Sequence, residues 1–82
     1  MTATPSLTVA EQVAAILAPY LGSFNAEIWV KVVAQRDLSL TPPELQVEHL
    51  TTLTEGLRPS LNTFMGRATA DELIQRIRRE VR

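Results

Sequence analysis

His49 is the single histidine of this 82-residue chain, and few other side chains could do chemistry. A catalytic triad or a metal site would require partners, yet only the carboxylates of Glu44 and Glu48 lie nearby in sequence. There is no cysteine, and the three glycines are isolated, so the chain has no thiolate site and no phosphate-binding loop. We therefore expect no catalytic residue, no cofactor and no metal, and interpret His49 as a polar residue on the outer face of a helix.

A group of arginines near the C-terminal end is the second candidate site. Its members are Arg67, Arg76, Arg78, Arg79 and Arg82. Such a group could contact phosphates or an acidic partner, but Asp71, Glu72 and Glu80 lie among the arginines and the net charge is −1. Cations also suit the C-terminal end of a helix dipole. The pattern favours a solvated helix end, and we expect no nucleic-acid partner.

Composition and the N-terminal segment indicate a small cytoplasmic domain. Apolar residues make up 45% of the chain, which is typical of a globular protein. The apolar stretches are shorter than the roughly 20 residues of a membrane helix, so no membrane insertion is expected. "MTATPSLT" has neither a basic residue nor an apolar core, unlike a signal peptide. We predict a flexible tail over residues 1–7 and a single helical domain over residues 8–82.

Start signals and apolar periodicity predict an all-α fold, a compact bundle of four to five helices. Thr-x-x-Glu, the capping box, occurs at Thr8, Thr41 and Thr69, and each is expected to begin a helix. A fourth match, Thr52 to Glu55, lies inside an apolar-periodic run and is interpreted as coincidence. The predicted helices cover residues 9–21, 25–36, 42–66 and 70–81. Gly56 and Pro59 interrupt the third of these, which predicts either two helices or one sharply bent helix.

Two similar octapeptides indicate a possible internal repeat. "LAPYLGSF" at residues 17–24 and "LRPSLNTF" at residues 57–64 share Leu-x-Pro-x-Leu-x-(Ser/Thr)-Phe. Aligned on Pro19 and Pro59, they predict two pseudo-repeated helical hairpins; the alternative is chance in a leucine-rich chain. In either case Phe24 and Phe64 are expected to fill the core beside turns between helices.

The second helix has more apolar surface than a small bundle readily covers. Apolar side chains occupy about two-thirds of its circumference at ~100° per residue, and Glu27, Lys31 and Gln35 form its polar stripe. Such a helix is buried on two sides, by its own bundle or by a second protein. The leading hypothesis is a regulatory or adaptor module that binds another protein, and the alternative is a homodimeric structural subunit. The predicted partner-binding residues are Tyr20, Trp29, Val33 and Met65. Trp29 is equally explained as the largest residue of the core.

Another alternative comes from a short resemblance. "EQVAAILAPYLG" resembles the opening helix of acyl carrier proteins. The resemblance implies a phosphopantetheine group on the serine of an Asp-Ser-Leu motif at the start of the second helix. Here the nearest match is "DLSL", in which Ser39 is offset by one residue from Asp37, and the chain lacks the strong acidity of that family.

A longer resemblance covers most of the chain. "LAPYLGSFNAEIWVKVVAQ" followed by "LRPSLNTFMGRATADELIQRI" resembles small helical domains appended to bacterial signalling proteins, including response regulators. The residues that carry it are Leu17, Pro19, Gly22, Ala26, Leu57, Pro59, Leu61, Gly66 and Ala70. The resemblance implies a bacterial regulatory or protein-interaction domain without catalytic residues, whose partner would be a separate chain.

Overall fold

The computed structural model describes residues 7–82, which form an all-α bundle. Its four α-helices are α1 (Val9–Leu21), α2 (Ser23–Val33), α3 (Leu50–Met65) and α4 (Arg67–Glu80). No strand occurs within residues 7–82, and the predicted fold class is confirmed. Of the predicted N-terminal tail, residues 1–6 lie outside the described residues.

The helices form two hairpins, each joined by one glycine. Gly22 lies between α1 and α2 with φ +87°, and Gly66 lies between α3 and α4 with φ +86°. The Gly22 N–H donates to the Ala18 carbonyl at 2.7 Å, and its own carbonyl accepts from the Ala26 N–H at 2.9 Å. Gly66 makes the same two bonds one hairpin later. Each glycine therefore ends one helix and begins the next.

This shared turn sets the true register of the internal repeat. Gly66 follows Gly22 by 44 residues (66 − 22), whereas the octapeptides are 40 residues apart (57 − 17). At the longer spacing, buried positions of one hairpin fall on buried positions of the other. The pairs are Val9 and Leu53, Ala10 and Thr54, Val13 and Leu57, Leu17 and Leu61, Ala26 and Ala70, Val30 and Ile74, and Val33 and Ile77. The two hairpins are present, but the proline alignment placed them in the wrong register.

The two phenylalanines are not core residues. Phe24 is 76% exposed and Phe64 is 58% exposed, so the expectation that they fill the core was wrong. Phe24 lies in the first turn of α2, after its glycine, whereas Phe64 lies in the last turn of α3, before its glycine. The one-residue turns leave no loop that could fold a side chain inward. The core is filled by aliphatic side chains, mostly leucine, valine and alanine.

α3 continues through Pro59 as one helix, so the predicted division into two helices at this point was wrong. Pro59 is exposed, while Leu57 and Leu61 on either side of it are fully buried. Proline removes one backbone hydrogen bond of the helix, and the buried leucines keep the flanking turns in place. The Thr63 hydroxyl donates to the Pro59 carbonyl at 3.0 Å.

The three predicted capping boxes have different outcomes. At Thr8 the box is complete: the Thr8 N–H donates to Glu11 Oε1 at 2.8 Å, and the Glu11 N–H donates to Thr8 Oγ1 at 3.1 Å. Thr41 caps only a short 3₁₀ turn, Pro42–Glu44, and not the long helix that was predicted there. Thr69 lies inside α4, because the glycine turn already begins that helix at Arg67.

The two hairpins are linked by a connector of irregular helical turns. It consists of a π-helical turn, Ala34–Leu38, followed by the 3₁₀ turns Pro42–Glu44 and Val47–His49. Leu45 is buried and fixes the connector to the core. Ser39 ends the π-turn in the left-handed conformation, with φ 56°.

Replacement of Gly22 by alanine is expected to lower the free energy of unfolding by about 1–3 kcal/mol. Its φ of 87° and ψ of 150° suit glycine alone, whereas no atom lies within 4 Å of an added Cβ. The cost is therefore backbone strain without a clash. Urea unfolding followed by circular dichroism measures it, and Gly66→Ala should give a similar loss. An unchanged midpoint for Gly22→Ala, with Ser23→Ala as the neutral control, would contradict this account.

Candidate protein-interaction surface

The single histidine takes part in a turn that precedes α3. His49 Nδ1 accepts a hydrogen bond from the Gln46 N–H at 3.0 Å, which closes the 3₁₀ turn before α3. Across residues 7–82 no three histidine, aspartate or glutamate side chains are grouped so as to hold a metal ion. In the same range no helix is both long and apolar enough to cross a bilayer.

Arginines of α3 and α4 also act within the fold. Arg58 of α3 pairs with Glu55 on its own helix and with Asp71 on α4, and so links the two helices of the second hairpin. Its pKa is raised mainly because its side chain donates hydrogen bonds to both carboxylates. Arg76 pairs with Glu80 at 3.3 Å. These arrangements agree with a solvated, charge-balanced surface on this part of the bundle.

The outer side of α2 carries a row of exposed apolar side chains. Phe24 is 76% exposed, Ile28 is 37% exposed and Val32 is 50% exposed. Residues four apart lie one above the other on a helix, so these three form a continuous apolar stripe, hereafter the α2 stripe. Ala26, Val30 and Val33, on the other side of α2, are buried in the core. As predicted, α2 is apolar on two sides. The bundle covers only one of them.

One flank of the α2 stripe is aromatic. Trp29 is half-buried and packs against the core. Phe64 from α3 meets it edge to face, with ring centroids 5.8 Å apart and planes at 82°. Edge-to-face pairs of this kind are favourable, by about 0.5–1.5 kcal/mol beyond the buried area. The contact extends the apolar surface from α2 onto the end of α3.

The opposite flank of the α2 stripe is charged. At ~100° per residue, Glu27 and Lys31 project on the side of the stripe away from Trp29. Both side chains are exposed, and neither takes part in the salt bridges found among residues 7–82. An apolar row with one aromatic and one charged border has the composition of a protein interface, where aromatic residues are enriched at the centre and charges lie at the rim.

The four residues predicted to bind a partner do not form one surface. Trp29 lies at the flank of the α2 stripe. Val33 lies on the inner side of α2 and is only 4% exposed, so it is a core residue. The expectation that Val33 lies on a partner-binding surface was wrong. Tyr20 is 44% exposed but borders a shallow depression with Leu73 and other residues of α4. Met65 is half-buried against the core.

Sequence reasoning missed four members of this surface, namely Phe24, Ile28, Val32 and Phe64, although a signal for the first three was present. Phe24 and Ile28 share the four-residue spacing of Val32, which is visible once α2 is known to begin at Ser23. Placing the helix start near Asn25 assigned Phe24 to a turn. Phe64 has no such signal, because its proximity to Trp29 depends on how α3 crosses α2.

Ser39, the residue of the carrier alternative, is exposed at the end of the π-turn. The family resemblance places the modified serine at the start of a helix instead. The π-turn also contains Asp37, whose pKa is lowered chiefly by the hydrogen bond that the Arg36 side chain donates to it. This geometry supplies nothing that would support the carrier alternative.

A shallow open cleft of about 570 Å³ lies between α1 and α2. Its lining includes Ala10, Ala14 and Ala18 of α1, and Glu27 and Lys31 of α2. Thr8, Glu11 and Ser23 also line the cleft, and Thr8 and Glu11 are already bonded to each other in the cap of α1. Comparison of the chain with protein-family models, with curated proteins and with solved structures gave no match.

Proposed function

We propose that this protein is a non-enzymatic interaction module that binds a partner protein through the α2 stripe and its aromatic flank. The observation that carries the proposal is the exposure of Phe24, Ile28 and Val32 in one row beside Trp29 and Phe64. Single exposed apolar residues are ordinary, but a contiguous apolar patch on a small domain is typical of an interaction site.

The aromatic residues are expected to supply most of the binding energy of this surface. Burying an exposed phenylalanine contributes about 1.5–3 kcal/mol, and aromatic residues near the centre of an interface commonly dominate its binding energy. Trp29 is half-buried and contacts Phe64 edge to face, so we expect it to lose little side-chain entropy on binding. Such a preorganised aromatic pair is a suitable anchor for a partner.

The proposal agrees with the two sequence resemblances in different degrees. A regulatory or adaptor role in a bacterial cytoplasm fits the likeness to helical domains appended to signalling proteins. The carrier alternative would require modification of Ser39, which lies at the far end of α2 and its π-turn from Phe24. The α2 stripe supports binding and gives no role to that serine.

Site-specific photocrosslinking tests the proposal. Phe24→p-benzoylphenylalanine places the reactive ketone on the α2 stripe with little change in shape. Illumination of cells that express this variant is expected to give a crosslinked band of discrete mass. Gln75→p-benzoylphenylalanine, at an exposed position of α4, is the matched control and should give none. Absence of any discrete product from position 24 would overturn the proposal.

A further inference from the structure

We infer that the partner of the α2 stripe is a second copy of this chain, with the two α2 helices packed antiparallel about a twofold axis near Ile28. This inference rests on the proposed function and names the occupant of that surface. The occupant is identified by the arrangement of charge and apolar residues along α2.

The apolar residues are symmetric about Ile28. Phe24 and Val32 lie four residues before and four residues after it, and all three are exposed. An antiparallel pair with its axis at Ile28 places the two Ile28 side chains together. Each Phe24 then meets the Val32 of the partner copy, so the large side chain lies against the smaller one. A twofold interface must be self-complementary in this way, since the same patch serves both copies.

The charged flank provides the stronger argument. In an antiparallel twofold pair, each flank of one helix faces the same flank of the other, with its order along the axis reversed. At a rise of about 1.5 Å per residue, Glu27 then lies about 3 Å along the axis from Lys31 of the second copy and equally far from the second Glu27, whereas the two lysines are about 9 Å apart. Opposite-charge neighbours therefore outnumber like-charge ones. Neither residue has a salt-bridge partner within residues 7–82. The pairing places two opposite-charge contacts at the rim, where they fix orientation and register.

A parallel pair does not match these residues. A parallel twofold axis brings opposite flanks together, so Glu27 and Lys31 would face the Trp29 and Phe64 flank of the second copy. The charged groups would then lose water to an aromatic surface without an opposite charge. The antiparallel arrangement instead brings the two aromatic flanks together and covers both Trp29–Phe64 pairs.

Charge exchange tests the arrangement. Glu27→Lys gives a flank with two lysines, and Lys31→Glu gives a flank with two glutamates. Each variant alone is expected to self-associate about tenfold more weakly than the unaltered chain, because like charges then face one another. An equimolar mixture of the two variants should form a mixed dimer at least as tight as the original one, because every contact between the two flanks then joins opposite charges. Sedimentation velocity and native mass spectrometry measure both effects, and circular dichroism verifies that each variant is folded.

Cysteine crosslinking provides a readout that does not depend on those charges. The chain has no cysteine, so an introduced thiol has one possible partner. Ile28→Cys lies on the axis and should form a disulfide-linked dimer on mild oxidation. Gln75→Cys, on exposed α4, should remain monomeric. Trp29 is the single tryptophan, and its emission should move to shorter wavelength as the protein concentration rises.

The outcomes separate this inference from the proposed function. A monomer at every accessible concentration, or an Ile28→Cys variant that does not crosslink, would overturn the second copy as the occupant. A dimer that is unaffected by Glu27→Lys would overturn the antiparallel register. If the benzophenone at position 24 captures a different polypeptide while the chain remains monomeric, the binding surface stands and the self-association fails. If that position captures nothing, both fail.

Discussion

Replacement of Leu61 by alanine is expected to lower the free energy of unfolding by about 2–5 kcal/mol, the usual cost of a leucine cavity in a packed core. Leu61 is fully buried in α3 and occupies the position that Leu17 occupies in the first hairpin. A domain of this size has a small total stability, so the variant should be largely unfolded near physiological temperature. Thermal and urea unfolding followed by circular dichroism measure the loss.

Phe64→Ala is the matched control, since Phe64 lies one turn further along α3. It is 58% exposed, so its removal should cost only about 0.5–1.5 kcal/mol, from the edge-to-face contact with Trp29. Unfolding is to be measured at several protein concentrations, because self-association would add a concentration-dependent part. A loss at Phe64 equal to that at Leu61 would mean that the phenylalanine is a core residue after all.

Gly56→Ala is the second substitution with a large expected effect, and its sign is diagnostic. In the interior of a helix, alanine is normally more stable than glycine by about 1 kcal/mol. At Gly56, however, an added Cβ would overlap the Asp37 carboxylate and would lie 2.5 Å from Cγ1 of the buried Val33. Overpacking of this kind costs about 1–3 kcal/mol. We expect net destabilisation, measured as a lower urea midpoint.

A double-mutant cycle identifies the cause of that loss. Asp37→Ala removes the carboxylate that the new methyl group would overlap, so it should restore part of the stability of Gly56→Ala. The two changes should therefore be non-additive, as is usual for residues in contact. Asp37→Ala alone also removes the salt-bridge partner of Arg36. The Arg36 side chain donates a hydrogen bond to the Gly56 carbonyl at 3.1 Å. A gain in stability for Gly56→Ala, or strict additivity with Asp37→Ala, would show that the end of α2 and the π-turn do not approach α3 so closely.

The fold class could be predicted from the sequence because the signals for it are local. The capping box at Thr8 and the periodicity of α1 and α4 depend only on neighbours within a turn or two. The register of the repeat was not predictable in this way. The similar octapeptides favour an alignment on their prolines. The structural equivalence is instead set by Gly22 and Gly66, whose surrounding residues differ.

The candidate surface was predictable in kind but only partly in membership. The apolar excess of α2 follows from its sequence. Trp29, for which the sequence left both a core and a partner-binding role open, is half-buried against the core. Which side of α2 the core covers depends on contacts with α1 and α3, which no local pattern records. Val33 was therefore assigned outward and Phe24 inward, the reverse of their positions. Phe64 belongs to the surface only because it contacts Trp29 of another helix.

The one-glycine joints have a consequence for how the chain tolerates changes in length. A turn of one residue, with both of its backbone groups bonded into the adjoining helices, cannot accept an inserted residue without shifting one helix by about 100° against the other. The inward stripe of the shifted helix would then face solvent. We expect insertions, tags and reporter peptides to be accommodated instead in the connector, near Gln46 and Val47, where both side chains are exposed and the turns are short. Among any relatives of this chain, insertions and deletions should therefore occur in the connector and not at the two glycine turns.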